Sequence, residues 1–95
     1  MVSTKCVSIE QALSTLPPLY STENIPTSEK KITVLIEGVL MGWKWFPVEY
    51  CPDEKVFFGY VKGFENEWGY TSVREIRYIL PFANMIEPTN FSEIE

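Results

Sequence analysis

The residues of this chain that could do chemistry are carboxylates set among aromatic side chains. Glu49, Glu65 and Glu67 are the acids concerned. The aromatic side chains nearest to them in sequence are Trp43, Trp45, Trp68 and Tyr70. Two carboxylates with aromatic platforms are typical of glycoside hydrolysis, in which one acid protonates the leaving oxygen and the other acts as base or nucleophile. Such enzymes need a long cleft, which a domain of 95 residues rarely builds.

Several other kinds of site are excluded by composition. The chain has no histidine, so it lacks the commonest general base and the commonest transition-metal ligand. Ser–His–Asp and Cys–His catalytic arrangements are therefore excluded, and two cysteines alone cannot form an ordinary zinc site. No glycine-rich phosphate loop is present. We expect no metal and no cofactor, and we expect Cys6 and Cys51 to be free thiols.

The charge balance bears on partners and on location. Thirteen acids against eight bases give a net charge of −5, which argues against direct nucleic-acid binding because phosphate contacts need clustered Lys and Arg. A role as a mimic of nucleic acid, in which carboxylates stand in for phosphates, is supported only weakly, because the acids alternate with lysines. The first residues lack the apolar core of a signal peptide, and no apolar run reaches the length of a membrane span. We therefore expect a soluble cytoplasmic protein that does not enter a membrane.

The order of the predicted helices and strands that position these residues indicates a small single α+β domain. We expect an antiparallel sheet of three to four strands with two short helices, a loose N-terminus over residues 1–8, and an acidic tail over residues 89–95. Ser8 and Gln11 have the spacing of a capping box at the start of the first helix. The predicted strands are Lys31–Glu37, Trp43–Tyr50, Lys55–Gly63 and FANMIE (82–87), with FENEWG (64–69) as a loop and VREIRYIL (73–80) as the second helix.

The second and third strands are close enough in sequence to form a hairpin. A tight turn pairing Cys51 with Glu54 would place Trp43 over Lys62 as a cation–π pair. Pro47 donates no ladder hydrogen bond, so it lies either on an edge or at a bulge. Both faces of this hairpin carry aromatic side chains. Either they are covered by helices, a further strand or a homodimer partner, or one face is exposed and marks a partner protein.

The order of the motifs resembles a small bacterial family of proteins of unknown function that is common on plasmids and mobile elements. The similarity spans residues 16–80 and departs from the family pattern at Thr71 and at residues 86–89. The matching positions are Tyr20, Glu23, Trp43, Trp45, Phe46, Glu49, Phe57, Phe58, Gly59, Glu67, Gly69, Tyr70 and Glu75. The resemblance implies a bacterial or mobile-element setting with an accessory or anti-defence role, and it implies no activity.

We therefore predict a non-enzymatic protein-interaction module that binds and modulates a host or mobile-element protein. Trp and Tyr dominate the energetic hot spots of protein interfaces, so the aromatic side chains would anchor the contact and the carboxylates would orient it. The residues predicted to form the site are Trp43, Trp45, Glu49, Glu67, Trp68 and Tyr70. The alternative is a small-ligand or hydrolytic site built on Glu49 and Glu67.

Overall fold

Six β-strands dominate the described part of the chain. The structure is a computed structural model and describes residues 5–38, 42–76 and 82–94. The strands are β1 (Lys5–Ser8), β2 (Lys31–Glu37), β3 (Lys44–Cys51), β4 (Val56–Lys62), β5 (Asn66–Ser72) and β6 (Phe82–Asn90). The helices are α1 (Ile9–Leu13) and α2 (Val73–Ile76), with 3₁₀ turns at Thr27–Glu29 and Phe91–Glu93.

The predicted α+β fold with three to four strands is wrong. All six strands form one antiparallel sheet in the order β1-β6-β2-β3-β4-β5. The helices are short, with five residues in α1 and four in α2, so the protein is mostly β. The segment predicted as a loop, FENEWG, instead supplies most of β5, and all seven residues of that strand pair with β4. Four strands therefore form a meander, after which β6 returns to pair with β2.

Both ends of the described chain are more ordered than the sequence predicted. In place of a loose N-terminus, β1 pairs with β6 over four residues. In place of an acidic tail, Thr89 and Asn90 complete β6, and the ring of Phe91 is only 2% exposed. Although this segment is acidic, apolar contacts attach it to the sheet, because Phe91 and Ile94 pack against it. Residues 1–4 and 95 lie outside the described residues.

Three local predictions are confirmed. The first central strand spans Lys31–Glu37 as predicted from its β-branched residues. Helix α1 begins after Ser8, whose hydroxyl accepts a hydrogen bond from the backbone N–H of Gln11 at 3.1 Å. The second helix begins at Val73 as expected, and its predicted continuation over residues 77–80 lies outside the described residues.

The hairpin forms, but its predicted register is wrong. Cys51 pairs with Val56 rather than with Glu54, because the turn is wider than assumed. The backbone N–H of Lys55 donates to the carbonyl of Cys51 at 2.8 Å, and Lys55 adopts a left-handed conformation with φ 55°. The register shifts between Pro47 and Glu49. A bulge, one of the two alternatives predicted for this proline, therefore lies here.

The predicted cation–π pair between Trp43 and Lys62 is wrong for the same reason. Lys62 pairs with Lys44, and its Nζ donates to the carbonyl of Ile94 at 3.3 Å. The ring of Trp43 instead contacts the rings of Trp45 and Phe64. The lysine therefore helps to tie down the C-terminal turn and leaves Trp43 to other aromatic partners.

The sheet buries apolar side chains on both faces. Adjacent residues of a strand point to opposite faces, so Phe57 and Phe58 of β4 mark the two sides. On the first face, Phe57 packs in a cluster with residues of α1, α2 and β2. On the second face, Phe58 packs with Phe46 and the C-terminal Phe91. Many of the aromatic side chains therefore belong to the core, which is one of the two alternatives predicted for them.

Two further features concern the cysteines and the helices. Cys6 is exposed and Cys51 is half-buried, and both are free thiols as predicted. Within residues 5–38, 42–76 and 82–94, no helix has the length and apolar character required to cross a membrane.

Candidate binding groove

A groove of about 800 Å³ lies on the first face of the sheet, beside β4 and β5. Its aromatic side is formed by Trp43, Trp45 and Phe64, and its far side by Glu75 and Ile76 at α2. These residues come from three separate parts of the chain. The antiparallel meander brings them together because β3, β4 and β5 are consecutive neighbours in the sheet.

The aromatic side of the groove is a stepped stack of three rings. The Trp45 ring is 8% exposed and belongs to the core. The Trp43 ring packs on it with centroids 5.7 Å apart, and the Phe64 ring meets Trp43 edge-on at 5.2 Å. Phe64 is 84% exposed. The rings therefore lead outward from the core to a large apolar side chain that contacts solvent.

Gly63 allows Trp43 to take this position. A Cβ atom at Gly63 would lie 2.8 Å from the six-membered ring of Trp43, closer than carbon atoms approach without displacement. The indole thus lies directly on the backbone just after β4. This contact, together with Trp45 behind it, fixes the orientation of Trp43 in the groove.

Two glycines face each other across β4 and β5, and one of them, Gly69, lines the groove. Gly59 lies opposite Gly69 in the ladder. A Cβ at Gly59 would come within 2.7 Å of Pro47 Cα, whereas a Cβ at Gly69 would meet no atom of the described residues within 4 Å. Gly59 therefore accommodates the bulged β3 backbone, and Gly69 leaves open space on the groove side of β5.

Carboxylates supply the charge of the groove. Glu65, Glu67 and Glu75 line it, and each of these residues is exposed. Among the described residues that line the groove, every charged side chain is one of these three glutamates. The groove therefore combines apolar and aromatic walls with a negative rim.

Glu49, predicted as a site residue, lies outside this groove. It is 3% exposed, and its carboxylate accepts hydrogen bonds from the backbone N–H groups of Tyr20 at 2.8 Å and Thr22 at 2.9 Å. The Thr22 hydroxyl also donates to it. These bonds fasten the proline-rich connector between α1 and β2 onto β3. Glu49 is thus a structural anchor, and the structure does not bring it to the groove that Glu67 lines.

The environment of Glu49 favours its ionised form. Burial alone raises the pKa of Glu49, but the hydrogen bonds from Thr22 and Tyr20 and the charge of Lys30 together outweigh it and lower the pKa below 4.5. Lys30 is itself 7% exposed, and its Nζ donates to the Thr22 carbonyl at 2.6 Å and to the Thr22 hydroxyl at 2.9 Å. Thr22 therefore links a buried carboxylate to a buried ammonium group.

Trp68 and Tyr70 lie in β5, and their rings are on the second face. The Trp68 ring stacks on Phe58 at 5.6 Å and meets Phe91 at 4.8 Å, so it belongs to the second core cluster. Tyr70 borders the groove, but its ring lies 5.0 Å from Phe58 and 6.3 Å from Tyr20. Desolvation, followed by the contact with Tyr20, raises the pKa of Tyr70 above 10.0.

Three of the six predicted site residues thus present their side chains to one groove, namely Trp43, Trp45 and Glu67. Phe64, Gly69 and Glu75 also line the groove, although the sequence did not predict them as site residues. The alternation in NEWGYTS would have placed Glu67, Gly69 and Thr71 on one face, had this segment been assigned as a strand. Phe64 and Glu75 carry no comparable signal, since they come together only through the fold.

The groove is suited to hold apolar and positively charged groups. Its apolar rings offer surface that a ligand can bury, and its carboxylates accept hydrogen bonds from cationic donors. In the part of the chain that the structure describes, no three His, Cys, Asp or Glu side chains come together as metal ligands.

Comparisons of this chain with protein-family models, with curated proteins and with solved structures find no match. The resemblance in the sequence motifs therefore stays a prediction.

Proposed function

We propose that the protein is a non-enzymatic interaction module that binds a partner protein through the groove on the first face of its sheet. One observation carries the proposal: Trp43 and Phe64 extend outward from the core, and Phe64 is 84% exposed beside a cavity of about 800 Å³. A large exposed aromatic side chain next to a concave apolar surface is typical of a protein-binding site.

The layered arrangement of the rings supports an anchoring role. Trp45 is held in the core and supports Trp43, which in turn contacts Phe64. A ring already fixed in one orientation loses little conformational freedom when a partner covers it. The groove therefore offers a rigid aromatic contact surface, with Glu67 at its edge to orient polar groups of the partner.

The motif resemblance supports the biological setting. It points to a protein of plasmids or other mobile elements, in which a small binding module would modulate a host or element protein. The residues proposed to carry binding are Trp43, Phe64 and Glu67. Glu49 and Trp68 are assigned to the fold, since their side chains are committed to the connector and to the second core cluster.

The test is to capture a partner from bacterial lysate with a groove-blocked variant beside the wild type. Gly69→Val places a β-branched side chain into the open space on the groove side of a strand. Asn66→Val is the matched control, because it introduces the same residue into the same strand on the opposite face. Circular dichroism establishes that both variants fold.

A stoichiometric partner that is retained by the wild type and by Asn66→Val but lost by Gly69→Val would support the proposal. Performing the capture at low and high salt reports how far the contact depends on charge. A partner captured equally well by Gly69→Val would show that binding uses another surface and would contradict the proposal.

A further inference from the structure

The charges of the groove indicate the class of partner segment that it binds. Glu65, Glu67 and Glu75 stand around apolar walls, and they are the only charged side chains among the described residues of the lining. A cleft of one sign with low-dielectric walls concentrates its field and attracts the opposite charge. The net charge of the whole chain, −5, has the same sign. An anionic segment would therefore be repelled, and a cationic segment attracted.

The aromatic rings select for the same ligand. The face of an indole attracts Lys and Arg side chains, and Trp is the strongest aromatic partner for a cation. Trp43 is half-buried, with its ring fixed by Gly63 and Trp45. An Arg or Lys side chain has an apolar stem that can lie against Val61 and a cationic head that can reach carboxylates. The groove offers surfaces for both parts.

The outer edge of β5 gives such a segment a way to bind. β5 is the last strand of the sheet order, it is seven residues long, and Glu67 is its one charged residue. An edge strand presents unpaired backbone N–H and C=O groups, which an extended peptide can pair with. The other edge strand, β1, has only four residues. β5 is therefore the edge better able to accept a further strand.

Gly69 connects this edge to the groove. A strand added beside β5 would lie about 4.8 Å away, and every second side chain would share the face of Glu67, Gly69 and Thr71. Because no side chain stands at Gly69 and the space above it is open, a long side chain could cross β5 at this point.

We propose that the partner segment is an extended basic strand that pairs with the outer edge of β5 and sends an Arg or Lys side chain across Gly69 into the groove that Trp43 and the three carboxylates line. The inference rests on the proposed function, because it names the occupant of the same groove. It adds the charge of that occupant, its backbone conformation and its point of entry.

The experiment uses a set of capped seven-residue peptides of alternating Thr and Val that differ only in the central residue. That residue is Arg, Lys, norleucine, Gln or Glu. Binding is followed on the ¹⁵N-labelled protein through the backbone amides of β5 and the indole N–H signals. We expect the Arg and Lys peptides to shift the Gly69 amide and the Trp43 indole. The Glu peptide should produce no shifts.

Three variants sharpen the test. The double change Glu65→Gln and Glu67→Gln should lower the affinity for the Arg peptide about tenfold at low salt, because each exposed ion pair contributes about a few-fold to the affinity. Gly69→Val should abolish the Trp43 indole shift with every peptide. Asn66→Val should bind as the wild type does.

Three results would overturn the inference. Equal affinity for the norleucine and Arg peptides would refute the selection for charge while leaving binding through the groove intact. Shifts confined to amides outside β5 would refute strand addition. Absence of binding by any peptide at millimolar concentration, with a concentration-dependent dimer in sedimentation, would show that a second copy occupies the groove. Partner capture by Gly69→Val tests the proposed function separately.

Discussion

Replacing Glu49 by glutamine should destabilise the protein strongly although the side chain keeps its shape. In the wild type, two backbone N–H groups and one hydroxyl donate to the Glu49 carboxylate. In the variant, one acceptor oxygen becomes an NH₂ donor. If the remaining side-chain carbonyl accepts from the backbone N–H of Tyr20, the backbone N–H of Thr22 faces the new NH₂ group. Both of these groups are donors, so the N–H of Thr22 is left unpaired in a largely buried position.

The expected cost follows from these bonds. An unsatisfied buried donor costs about 1–3 kcal/mol, and loss of the charge weakens the bond that remains. We expect the free energy of unfolding to fall by about 2–4 kcal/mol, which corresponds to a decrease in Tm of about 10–20 °C for a domain of this size. The variant should still fold, since domains of this length have about 5–15 kcal/mol of stability.

The assay is urea unfolding followed by tryptophan fluorescence. Glu67→Gln is the matched control, because it makes the same chemical change at an exposed glutamate and should alter stability by less than about 0.5 kcal/mol. If Glu49→Gln proved as stable as Glu67→Gln, the carboxylate would not be holding the connector, and its assignment as a structural anchor would be wrong.

The pKa of Glu49 adds a pH dependence with a definite sign. Because the folded state lowers this pKa below 4.5, the ionised group stabilises the fold above the unfolded pKa, and that stabilisation is lost as the pH falls through the folded pKa. The stability difference between wild type and Glu49→Gln should be constant between about pH 7 and pH 5 and should shrink below that. A difference that stays constant under acid conditions would contradict the lowered pKa.

Three further changes test the fold around the site, each by chemical unfolding. Gly59→Ala should cost about 1–3 kcal/mol because its Cβ would collide with the β3 backbone, whereas Gly69→Ala should be nearly neutral, so equal effects would refute the described pairing. Phe91→Ala should lower the free energy of unfolding by about 3–5 kcal/mol, because Phe91 is only 2% exposed. An unchanged stability would instead support the prediction of a solvated acidic tail. Lys30→Met should lower the free energy of unfolding by about 1–3 kcal/mol, because the Thr22 carbonyl loses the donor that lies 2.6 Å from it. An unchanged unfolding midpoint would show that the bond from Lys30 to Thr22 does not stabilise the fold.

The elements predicted correctly have local causes. β2 contains a β-branched apolar run, and α1 begins at a serine that caps its own helix. The bulge beside Pro47 is one of the two alternatives that the missing N–H of proline predicts. In each case the residues that determine the structure are adjacent in sequence, so the sequence pattern is sufficient.

The strands that were missed depend on distant partners. Asn66, Glu67 and Gly69 are weak strand formers, yet β5 forms because every residue from Asn66 to Ser72 pairs with β4. Lys5 pairs with Met85 across nearly the whole chain, and nothing near Lys5 in the sequence encodes that contact. Tertiary pairing overrides local propensity in both places, and this raised the strand count from three or four to six.

The same distinction explains which site residues were found. Trp43 and Trp45 could be selected because tryptophan is the residue type that dominates interface hot spots, whatever the fold. The role of Glu49 could not be inferred, because its partners Tyr20 and Thr22 belong to the connector, 29 and 27 residues away in sequence. An acidic residue in an aromatic strand looks like a site residue until the connector is seen to cover it.

The most direct test of the central claim is the equilibrium affinity of the captured partner for wild type, Gly69→Val and Asn66→Val, measured by calorimetry. If the groove is the contact surface, Gly69→Val should weaken binding by at least about tenfold, while Asn66→Val should stay within about twofold of the wild type. Equal affinities for all three folded proteins would contradict the claim that the protein binds its partner through this groove.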